Sequence, residues 1–335
     1  MKFGIGIPTC REGLTLPAPF ASPSQIVELT KKAEKLGYDS VWADDHIMVT
    51  EGMHIGSKVP PNWYDPLITL GAAASATSKI RLCVGVICIP FRNPIILAKQ
   101  AVTIDHISNG RFGLGFGLGR RDEYEHFNSE SAKVHRGRLA LETMESIYKL
   151  FTQDHVTFEG EYIKFRDVSL YPKPVQNPPA IYVAGETEDT SNRVANWATG
   201  QLMSMLSSSR PIPERLELLK KSLEEHGRKF SDIDKTVVIA QNVNKSHEKA
   251  VEAFKKSVIG THVKPERLAK VVADNAIGTP EEVAEKVLKT FAMGIDSYTI
   301  HHYAVQSLQE LEEQVQIFAE DVMPLVKKAS QKAKK

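Results

Sequence analysis

The chain has 335 residues, 42% of them apolar and 25% charged, and its formal net charge at pH 7 is +1. This composition is that of an ordinary globular enzyme, and a charge so close to zero gives no electrostatic attraction for nucleic acid or an anionic membrane. The cysteines, Cys10, Cys83 and Cys88, form no CxxC pair, so neither a zinc site nor a disulfide framework is indicated. No apolar stretch is long enough to cross a bilayer, and no signal peptide precedes the first strand pattern. We therefore expect a cytoplasmic protein with no nucleic-acid or membrane partner.

Short apolar runs alternate with longer amphipathic segments along the whole chain. Runs that are continuously apolar are typical of strands buried on both faces. The predicted strands are Lys2–Ile7, Ser40–Asp44, Arg81–Ile87, Phe112–Gly117, Ile181–Ala184, Leu202–Met205, Thr236–Gln241 and Ser297–His302. The predicted helices are Ser24–Leu36, Pro66–Thr77, Pro94–Ile107, Arg136–Phe151, Asp189–Ala198, Pro213–Glu225, Pro280–Met293 and Leu308–Lys328.

A strand followed by a helix, repeated eight times, predicts parallel strands joined by right-handed crossovers. Eight units favour closure into a (β/α)8 barrel of the TIM type, an α/β fold, although a doubly wound open sheet also fits the pattern. We see no internal repeat and no low-complexity linker, so we expect a single domain over residues 1–335. Insertions are predicted after strands 1, 4 and 7: the loop Pro8–Pro23, a hairpin over His155–Tyr171, and the polar, mostly helical Val243–Gly278.

Several motifs occur in a fixed order along nearly the whole chain. They are Tyr64–Leu67, Pro90–Pro94, Asp105–Gly117, Phe158–Tyr162, Pro172–Pro179 and Phe318–Pro324. Together they resemble the bacterial-luciferase-like superfamily, which includes flavin monooxygenases and deazaflavin-dependent hydride transferases. The resemblance implies a (β/α)8 barrel, a flavin-type cofactor at the carboxyl ends of the strands, and a homodimer.

Polar residues follow the second predicted strand, at the end of a barrel where chemistry is expected. Asp44, Asp45 and His46 stand there, and buried carboxylates are costly unless they are paired. We predict that His46 is an acid, a base or a substrate clamp, tuned by Asp45. The alternative is a helix cap with a hydrogen-bonded histidine. The Asp45–His46 pair is similar to that of the deazaflavin-dependent members, whereas luciferases proper have a catalytic histidine at the position of Asp45, so light emission is not implied.

The third strand and the loop before the second helix are expected to hold the ring of the cofactor. The resemblance implies a non-prolyl cis peptide in the third strand, which would fall at Val86–Ile87 and support the back of the isoalloxazine ring. Trp63 is predicted to cover the ring from the loop, or else to be a core residue. We assign Trp63 to the substrate site.

The fourth strand ends in the glycine-rich stretch Gly115–Gly119 and two arginines. Its glycine spacing is not that of the dinucleotide-binding fingerprint, which excludes a Rossmann interpretation. Glycine lets the backbone approach a ligand closely, and arginine supplies forked donors for phosphate. For either arginine, a surface salt bridge with a neighbouring acid is the alternative. The predicted cofactor contacts in this stretch are Gly117, Arg120, Arg121 and the family-like acid Glu123.

The fifth strand leads into a turn rich in hydroxyl groups and then into a helix. Hydroxyl and free N–H groups at a helix start form an anion site, and the resemblance implies that this turn binds phosphate in the FMN-dependent branch. The acids of the same turn oppose this, because they repel phosphate and serve equally well as helix caps. Deazaflavin-dependent members often have Gly-Pro here, which this chain lacks, and the difference favours FMN. The predicted cofactor contacts are Ala184, Gly185, Glu186, Thr187, Thr190 and Ser191.

The eighth strand ends with His301 and His302. Successive side chains of a strand point to opposite faces, so we expect one of the two at most to face the barrel axis, and we assign His302 to the substrate pocket. No third ligand stands at a recognisable spacing, so no metal site is predicted.

Two enzymatic hypotheses and one non-enzymatic hypothesis remain. The first is an FMN-dependent monooxygenase acting on a small organic substrate, which the Thr187–Ser191 turn favours. The second is a hydride transferase that uses the deazaflavin coenzyme F-420, which the Asp45–His46 pair favours. The third is a barrel that binds a flavin and catalyses no reaction.

Overall fold

The apolar runs form strands in the computed structural model, which describes residues 1–51, 53, 55–127, 134–206 and 210–333. In chain order these strands are β1 (Lys2–Ile7), β2 (Ser40–Ala43), β3 (Arg81–Cys88), β4 (Phe112–Gly117), β5 (Val156–Glu159), β6 (Lys164–Val168), β7 (Ile181–Ala184), β8 (Gly200–Ser204), β9 (Asp234–Val243), β10 (Ala276–Gly278) and β11 (Ser297–Tyr303). The predicted strands are confirmed to within about two residues at each end.

The parallel strands close into a ring. Their order is β1-β2-β3-β4-β7-β8-β9-β11, and β11 pairs in turn with β1. The closing pairs join Gly200 of β8 to Asp234 of β9, and Ser297 of β11 to Lys2 of β1. The predicted (β/α)8 TIM barrel is therefore confirmed, and the open doubly wound sheet is wrong.

Helices connect the strands and cover the outside of the barrel. They are α1 (Pro23–Leu36), α2 (Pro66–Ala76), α3 (Pro94–Ile107), α4 (Arg121–Phe127), α5 (Arg136–Thr152), α6 (Glu188–Trp197), α7 (Ile212–Glu225), α8 (His247–Lys256), α9 (Val258–Thr261), α10 (Pro265–Asp274), α11 (Pro280–Ala292), α12 (Leu308–Ile317) and α13 (Met323–Ala333). A π-helix over Phe318–Val322 separates α12 from α13, where the sequence predicted one uninterrupted helix. None of the helices in the described part of the chain has both the length and the apolar content needed to cross a bilayer.

Side-chain caps fix where many of these helices begin. In each case a side-chain oxygen accepts a hydrogen bond from a backbone N–H of the first turn, a group that has no partner within the helix. The capping residues of this kind include Ser22, Asp65, Asn93, Thr187, Thr279 and Ser307.

The predicted insertions all appear. Strands β5 and β6 form the antiparallel hairpin expected after the fourth barrel strand. The segment after β9 contains α8, α9 and α10, and it ends in β10, a short strand that the sequence did not predict. β10 pairs with Gln241–Val243 of β9, beyond Asp234–Val238 where β8 pairs with the same strand. The insertion is thereby hydrogen-bonded to the barrel itself.

Alternate residues of each strand fill two separate cores. On β2, Val41 and Ala43 pack outward against the helices, whereas Trp42 points into the barrel. The Trp42 ring meets the Tyr182 ring edge-on, at 5.0 Å between centroids. Apolar packing therefore fills the barrel interior, and polar side chains gather at its carboxyl-terminal end, which we call the mouth.

Candidate functional site

His46 lies at the mouth with one ring nitrogen held by a buried acid. Its Nδ1 is 3.0 Å from Oε2 of Glu123, and the other oxygen of Glu123 accepts the N–H of Ile47 at 3.1 Å. The Glu123 side chain is fully buried, whereas the His46 side chain is 20% exposed. A carboxylate can only accept, so Nδ1 donates to it, and the Nε2 of a neutral His46 ring keeps a free lone pair. This arrangement suits a group that takes up and releases a proton at Nε2.

Asp45 does not contact His46 through its carboxylate. Its Oδ2 accepts the backbone N–H of Cys88 at 2.9 Å, and its Oδ1 receives Nη2 of Arg92 at 2.8 Å. Burial raises the pKa of Asp45 above its ordinary value, and Arg92 only partly opposes the shift. The predicted tuning of His46 by Asp45 is therefore wrong: strand geometry turns Asp45 towards β3, and Glu123 occupies the position behind the histidine.

Glu123 was placed among the cofactor contacts by sequence, and the structure corrects this. Its carboxylate is enclosed by His46 and the backbone of Ile47, with no exposed surface left for a ligand. Its role is to orient the histidine. Nothing in the sequence pattern connects the two residues, since they are 77 positions apart.

Trp63 lies beside His46, with ring centroids 5.1 Å apart. Its indole N–H donates to the backbone oxygen of Glu12 at 3.1 Å. The buried Glu12 carboxylate also accepts the N–H groups of Ala21 and Asn62, at 3.2 and 2.8 Å. The loop after β1 and the loop before α2 are thus tied together at the mouth, and Trp63 is partly exposed there rather than part of the core.

A second polar network spans the ends of β2, β1 and β11. Arg11 places Nε and Nη2 at 2.5 Å from Oδ2 of Asp44, and its Nη1 is 2.8 Å from Nδ1 of His302. Thr9 supports Asp44 by hydrogen bonds to both its backbone oxygen and its backbone nitrogen. Burial raises the pKa of Asp44, with Arg11 opposing, and burial together with Arg11 lowers the pKa of His302 well below its ordinary value.

The two histidines of β11 have different surroundings. His301 is buried, 4% exposed, with its Nε2 sealed and without a hydrogen-bond partner, and its ring lies 5.7 Å from that of Trp42. His302 is only partly buried and reaches the network of Arg11. A register shift between Ile300 and His302 interrupts the simple alternation that the sequence predicted.

The non-prolyl cis peptide is present but lies one residue earlier than predicted, at Gly85–Val86. A Cβ at Gly85 would lie 2.6 Å from the Trp42 ring, so the strand can pass this close to the ring only because residue 85 has no side chain. Val86 is partly buried beside Gly117. A Cβ on Gly117 would come within 2.3 Å of a methyl group of Val86. Ile87 is fully buried in the outer core, which corrects its predicted role as a cofactor contact.

A cleft of ≈ 630 Å³ opens at the mouth beside the ends of β4 and β7, and we call it the cofactor cleft. Its lining residues are Leu118, Arg121, Tyr124, Glu125, Val134, His135, Arg136, Gly137, Ala184, Gly185, Glu186, Thr187, Asp189, Thr190 and Arg193. Six predicted contacts, Arg121, Ala184, Gly185, Glu186, Thr187 and Thr190, are therefore brought together. Arg120 and Ser191 are not in the lining, and Ser191 is 1% exposed.

The turn before α6 is shaped by Gly185. Its φ is +139°, and a Cβ there would lie 2.5 Å from Oγ1 of Thr190. Thr187 caps α6 by accepting the N–H of Thr190 at 3.2 Å, and the two hydroxyl groups are 3.0 Å apart. Thr187 and Thr190, whose hydroxyl groups were predicted to bind phosphate, thus contact each other and the helix start. This is the helix-capping role that the sequence left as the alternative.

The two arginines predicted to bind phosphate are paired with acids. Arg120 contacts both oxygens of Asp122, at 3.0 and 2.8 Å, and this bond lowers the pKa of Asp122 to about 2. Arg121 contacts Glu125 at 3.0 Å and is 74% exposed. The surface salt bridge, which the sequence left as an alternative, is what the structure shows for both.

Sequence reasoning missed the cationic residues that face the cofactor cleft without an acid partner. Arg136 donates to the backbone oxygen of Gly119 at 3.2 Å, and Arg193 lies against Gly137. Neither forms an ion pair with a carboxylate in the described ranges. Arg193 stands three residues after Thr190 on α6, a spacing that places both on one helix face and could have indicated it. Arg136 carries no such signal in the sequence.

The chain is similar to known proteins over most of its length. The model of the luciferase-like monooxygenase family matches residues 1–297. An F-420-dependent glucose-6-phosphate dehydrogenase of Amycolatopsis mediterranei is 25% identical over 90% of this chain and 94% of its own length. An FMNH₂-dependent dimethylsulfone monooxygenase of Pseudomonas putida is 24% identical over 99% of this chain and 96% of its own length. A solved monooxygenase from Streptomyces bottropensis, 24% identical, has the same fold, with a TM-score of 0.75 over 97% of this chain and 99% of that chain.

Proposed function

The chain belongs to the luciferase-like monooxygenase family, and from this premise we propose that it is an FMN-dependent monooxygenase acting on a small organic substrate at the mouth. The observation that carries the proposal is that a cleft with two cations and a candidate acid–base group lie at the same end of the barrel. Arg136 and Arg193 face the cofactor cleft, and His46, held by Glu123, lies at the same end of the barrel. The first group suits a phosphate, and the second suits proton transfer beside a redox ring.

The residues of the cleft fit a flavin mononucleotide. Gly185 lines the cleft, and Thr190 fills the space that a side chain would take there. At Gly117, outside the lining, Val86 fills the corresponding space. Gln201 fixes the Gly185 carbonyl with a hydrogen bond of 3.1 Å. The phosphate would lie towards Arg136 and Arg193, with the ring towards the partly exposed Val86.

The charge of the cleft favours FMN over coenzyme F-420. Its lining includes the acids Glu125, Glu186 and Asp189, and Glu125 is paired with Arg121. FMN carries a single phosphate, whereas the deazaflavin cofactor adds a tail of several carboxylates to its phosphate. The acids of the lining repel such a tail more strongly than one phosphate next to two arginines.

The protein's own residues supply position, dryness and proton transfer. When bound, the flavin supplies the electrons that activate oxygen. Glu123 holds His46 so that Nε2 can take a proton from, or return it to, the reacting group. Trp63 and the two loops joined by Glu12 restrict water at the mouth.

A hydride transferase dependent on coenzyme F-420 is the second candidate. The pairing of His46 with Glu123 favours it, because a histidine backed by a carboxylate is well placed to remove the proton of an alcohol. The similarity to a glucose-6-phosphate dehydrogenase that uses F-420 supports it as well.

Loading of the purified protein with each cofactor separates these functions. We expect FMN to bind more tightly than F-420, and the protein supplied with reduced FMN to consume oxygen in step with oxidation of an added small organic substrate. Binding of F-420 alone, with oxygen-independent turnover, would establish the second candidate. Flavin binding without any turnover would leave a non-catalytic flavin-binding barrel. His46→Ala should abolish turnover and retain the cofactor, whereas unchanged turnover removes His46 from the mechanism.

We also propose that residues 1–335 act as one domain and pair as a homodimer. Ile68 on α2 and Ile96 on the neighbouring α3 are 75% and 60% exposed, and a second copy would bury them. Sedimentation velocity should show a dimer that Ile68→Asp weakens, and a monomeric wild type would contradict this. A cytoplasmic location stays a prediction from sequence.

A further inference from the structure

Arg11 is the one member of the network at the ends of β1, β2 and β11 that contacts both other charged or titratable partners, Asp44 and His302. We propose that Arg11 is a positioning residue that fixes His302 as a neutral hydrogen-bond donor, and that this donor selects substrates with an uncharged oxygen acceptor, such as a carbonyl or sulfonyl group. The assignment of the donor to a substrate rests on the function proposed above, whereas the fixed proton position does not.

The direction of the Arg11–His302 hydrogen bond determines where the imidazole proton lies. A guanidinium has only donors, so at 2.8 Å the Nδ1 of His302 must accept. A neutral imidazole that accepts at Nδ1 carries its proton on Nε2. That N–H makes no hydrogen bond to any residue in the described ranges, and His302 as a residue is only partly buried. His302 therefore presents an unused donor at the mouth.

The surroundings of His302 keep it neutral. A proton on Nδ1 would face the positive charge of Arg11, and Asp44 is held on the far side of that guanidinium. His301, on the same strand, is a further titratable neighbour, while β9 contributes Ala240 and Gln241 at the pairing positions. Burial, Arg11 and His301 all lower the pKa of His302, so the donor persists through the physiological range.

The mouth therefore presents two imidazoles with opposite capacities. His46 donates from Nδ1 to Glu123 and keeps a lone pair on Nε2, whereas His302 accepts at Nδ1 and donates from Nε2. An oxygen that accepts a hydrogen bond matches His302, and a hydrocarbon of the same shape would leave this donor unpaired. Loss of a hydrogen bond from a buried polar group is a strong source of discrimination between substrates.

Nitrogen-15 resonances of histidine in the cofactor-free protein test the fixed proton position. The Nε2–H form and the Nδ1–H form give different spectra, and His302→Gln identifies the signal. We expect His302 in the wild type to show the Nε2–H form with no titration between about pH 5 and pH 8. A Nδ1–H form, or titration within this range, overturns the proposal.

The paired variant Arg11→Met, Asp44→Asn removes the donor without leaving a lone charge. In it we expect His302 to titrate or to populate both tautomers, with the signals of histidines away from the mouth unchanged as a check on folding. Arg121→Met, at an arginine outside this network, is the matched control and should leave His302 as in the wild type. If His302 in the paired variant still shows only the Nε2–H form and does not titrate, the role of Arg11 is overturned.

Dimethyl sulfoxide, a small and strong acceptor, tests access to the donor. Its addition to the wild type should move the Nε2–H signal of His302 downfield, and methylcyclohexane should not. No movement with dimethyl sulfoxide overturns the assignment of His302 as a substrate donor. Because these measurements need no cofactor, a failure here speaks against the network and leaves the cofactor experiments to judge the proposed function separately.

Discussion

At the scale of single residues, the chemistry of His46 depends on the carboxylate behind it. Glu123 is enclosed, so its negative charge is little screened by water and acts mainly on the imidazole. The hydrogen bond from Nδ1 to this carboxylate keeps the ring in one orientation. Asp45, the neighbour in sequence, uses its own charge on Arg92 and the backbone of Cys88.

Glu123→Gln should lower kcat while leaving cofactor affinity nearly unchanged. The amide oxygen can still accept from Nδ1 but is a weaker acceptor than a carboxylate, so we expect a loss smaller than the roughly 10²–10⁴-fold typical of removing a general acid–base group. Asp45→Asn is the comparison. Because Asp45 contacts Arg92 and the backbone of Cys88, we expect this variant to lower the free energy of unfolding rather than kcat. Steady-state kinetics and urea unfolding measure the two effects, and equal kcat losses in both variants would refute the distinction.

At the scale of elements, the cofactor cleft is made where β4, β7 and the start of α6 meet. Arg136 begins α5 and Arg193 lies on the second turn of α6, so two helices each supply one cation. This division explains why no local sequence motif marks the proposed phosphate site.

Arg136→Met and Arg193→Met should each weaken FMN binding by about 10–100-fold, because a hydrogen bond to a charged group is worth about 1.5–3 kcal/mol. Riboflavin, which lacks the phosphate, should bind all variants equally. Arg166→Met on the β5–β6 hairpin is the control, since that side chain is 83% exposed and outside the cleft lining. Fluorescence quenching of the flavin gives the affinities, and equal losses for FMN and riboflavin would contradict the assignment.

The two loops at the mouth depend on Glu12, which no motif identified. Glu12→Gln replaces one acceptor oxygen by a donor facing the N–H of Phe20, Ala21 or Asn62. We expect a loss of about 1–3 kcal/mol in the free energy of unfolding, with altered Trp63 fluorescence. Glu28→Gln on the exposed face of α1 should stay within about 0.5 kcal/mol. An unfolding midpoint that equals that of the control would show that the carboxylate does not hold the loops.

The elements themselves were predictable because their signals are local. Apolar runs predicted the barrel strands, and proline marked several of the helix starts. β10 was missed because Ala276–Gly278 is too short to show a pattern, and α4 because Arg121–Phe127 is mostly polar. Barrel topology also placed His46, Gly117 and Gly185 at one end correctly. The partners of these residues could not be predicted, since they depend on which distant side chain fills the space behind each one.

At the scale of the whole molecule, carboxylates join segments that are distant in the chain. Glu34 on α1 accepts the N–H groups before β3, and Glu142 on α5 accepts those at the turn of the β5–β6 hairpin. Burial raises the pKa of each, but the backbone hydrogen bonds lower it by more, so both lie below the ordinary 4.5.

This lowered pKa predicts the direction of acid sensitivity. A carboxyl group with a lowered folded pKa contributes stability that is present above its ordinary pKa and is lost as the pH falls through the folded value. We therefore expect the free energy of unfolding to drop below pH 4.5. The variant Glu34→Gln, Glu142→Gln should be less stable at pH 7 and show a shallower drop. Urea unfolding at a series of pH values measures both slopes, and parallel curves would contradict the linkage.

The pairing of β10 with the far end of β9 bears on which segments relatives of this protein could exchange. Residues 244–275 connect β9 to β10, and these two strands are hydrogen-bonded to each other. Both ends of the segment are therefore held at neighbouring positions, and the segment could be exchanged as a unit. A chimera that transplants this segment while keeping Ala276–Gly278 should inherit the barrel unchanged. A cut inside that tripeptide would instead leave the edge of Gln241–Val243 bare, and recombination in this family should avoid it.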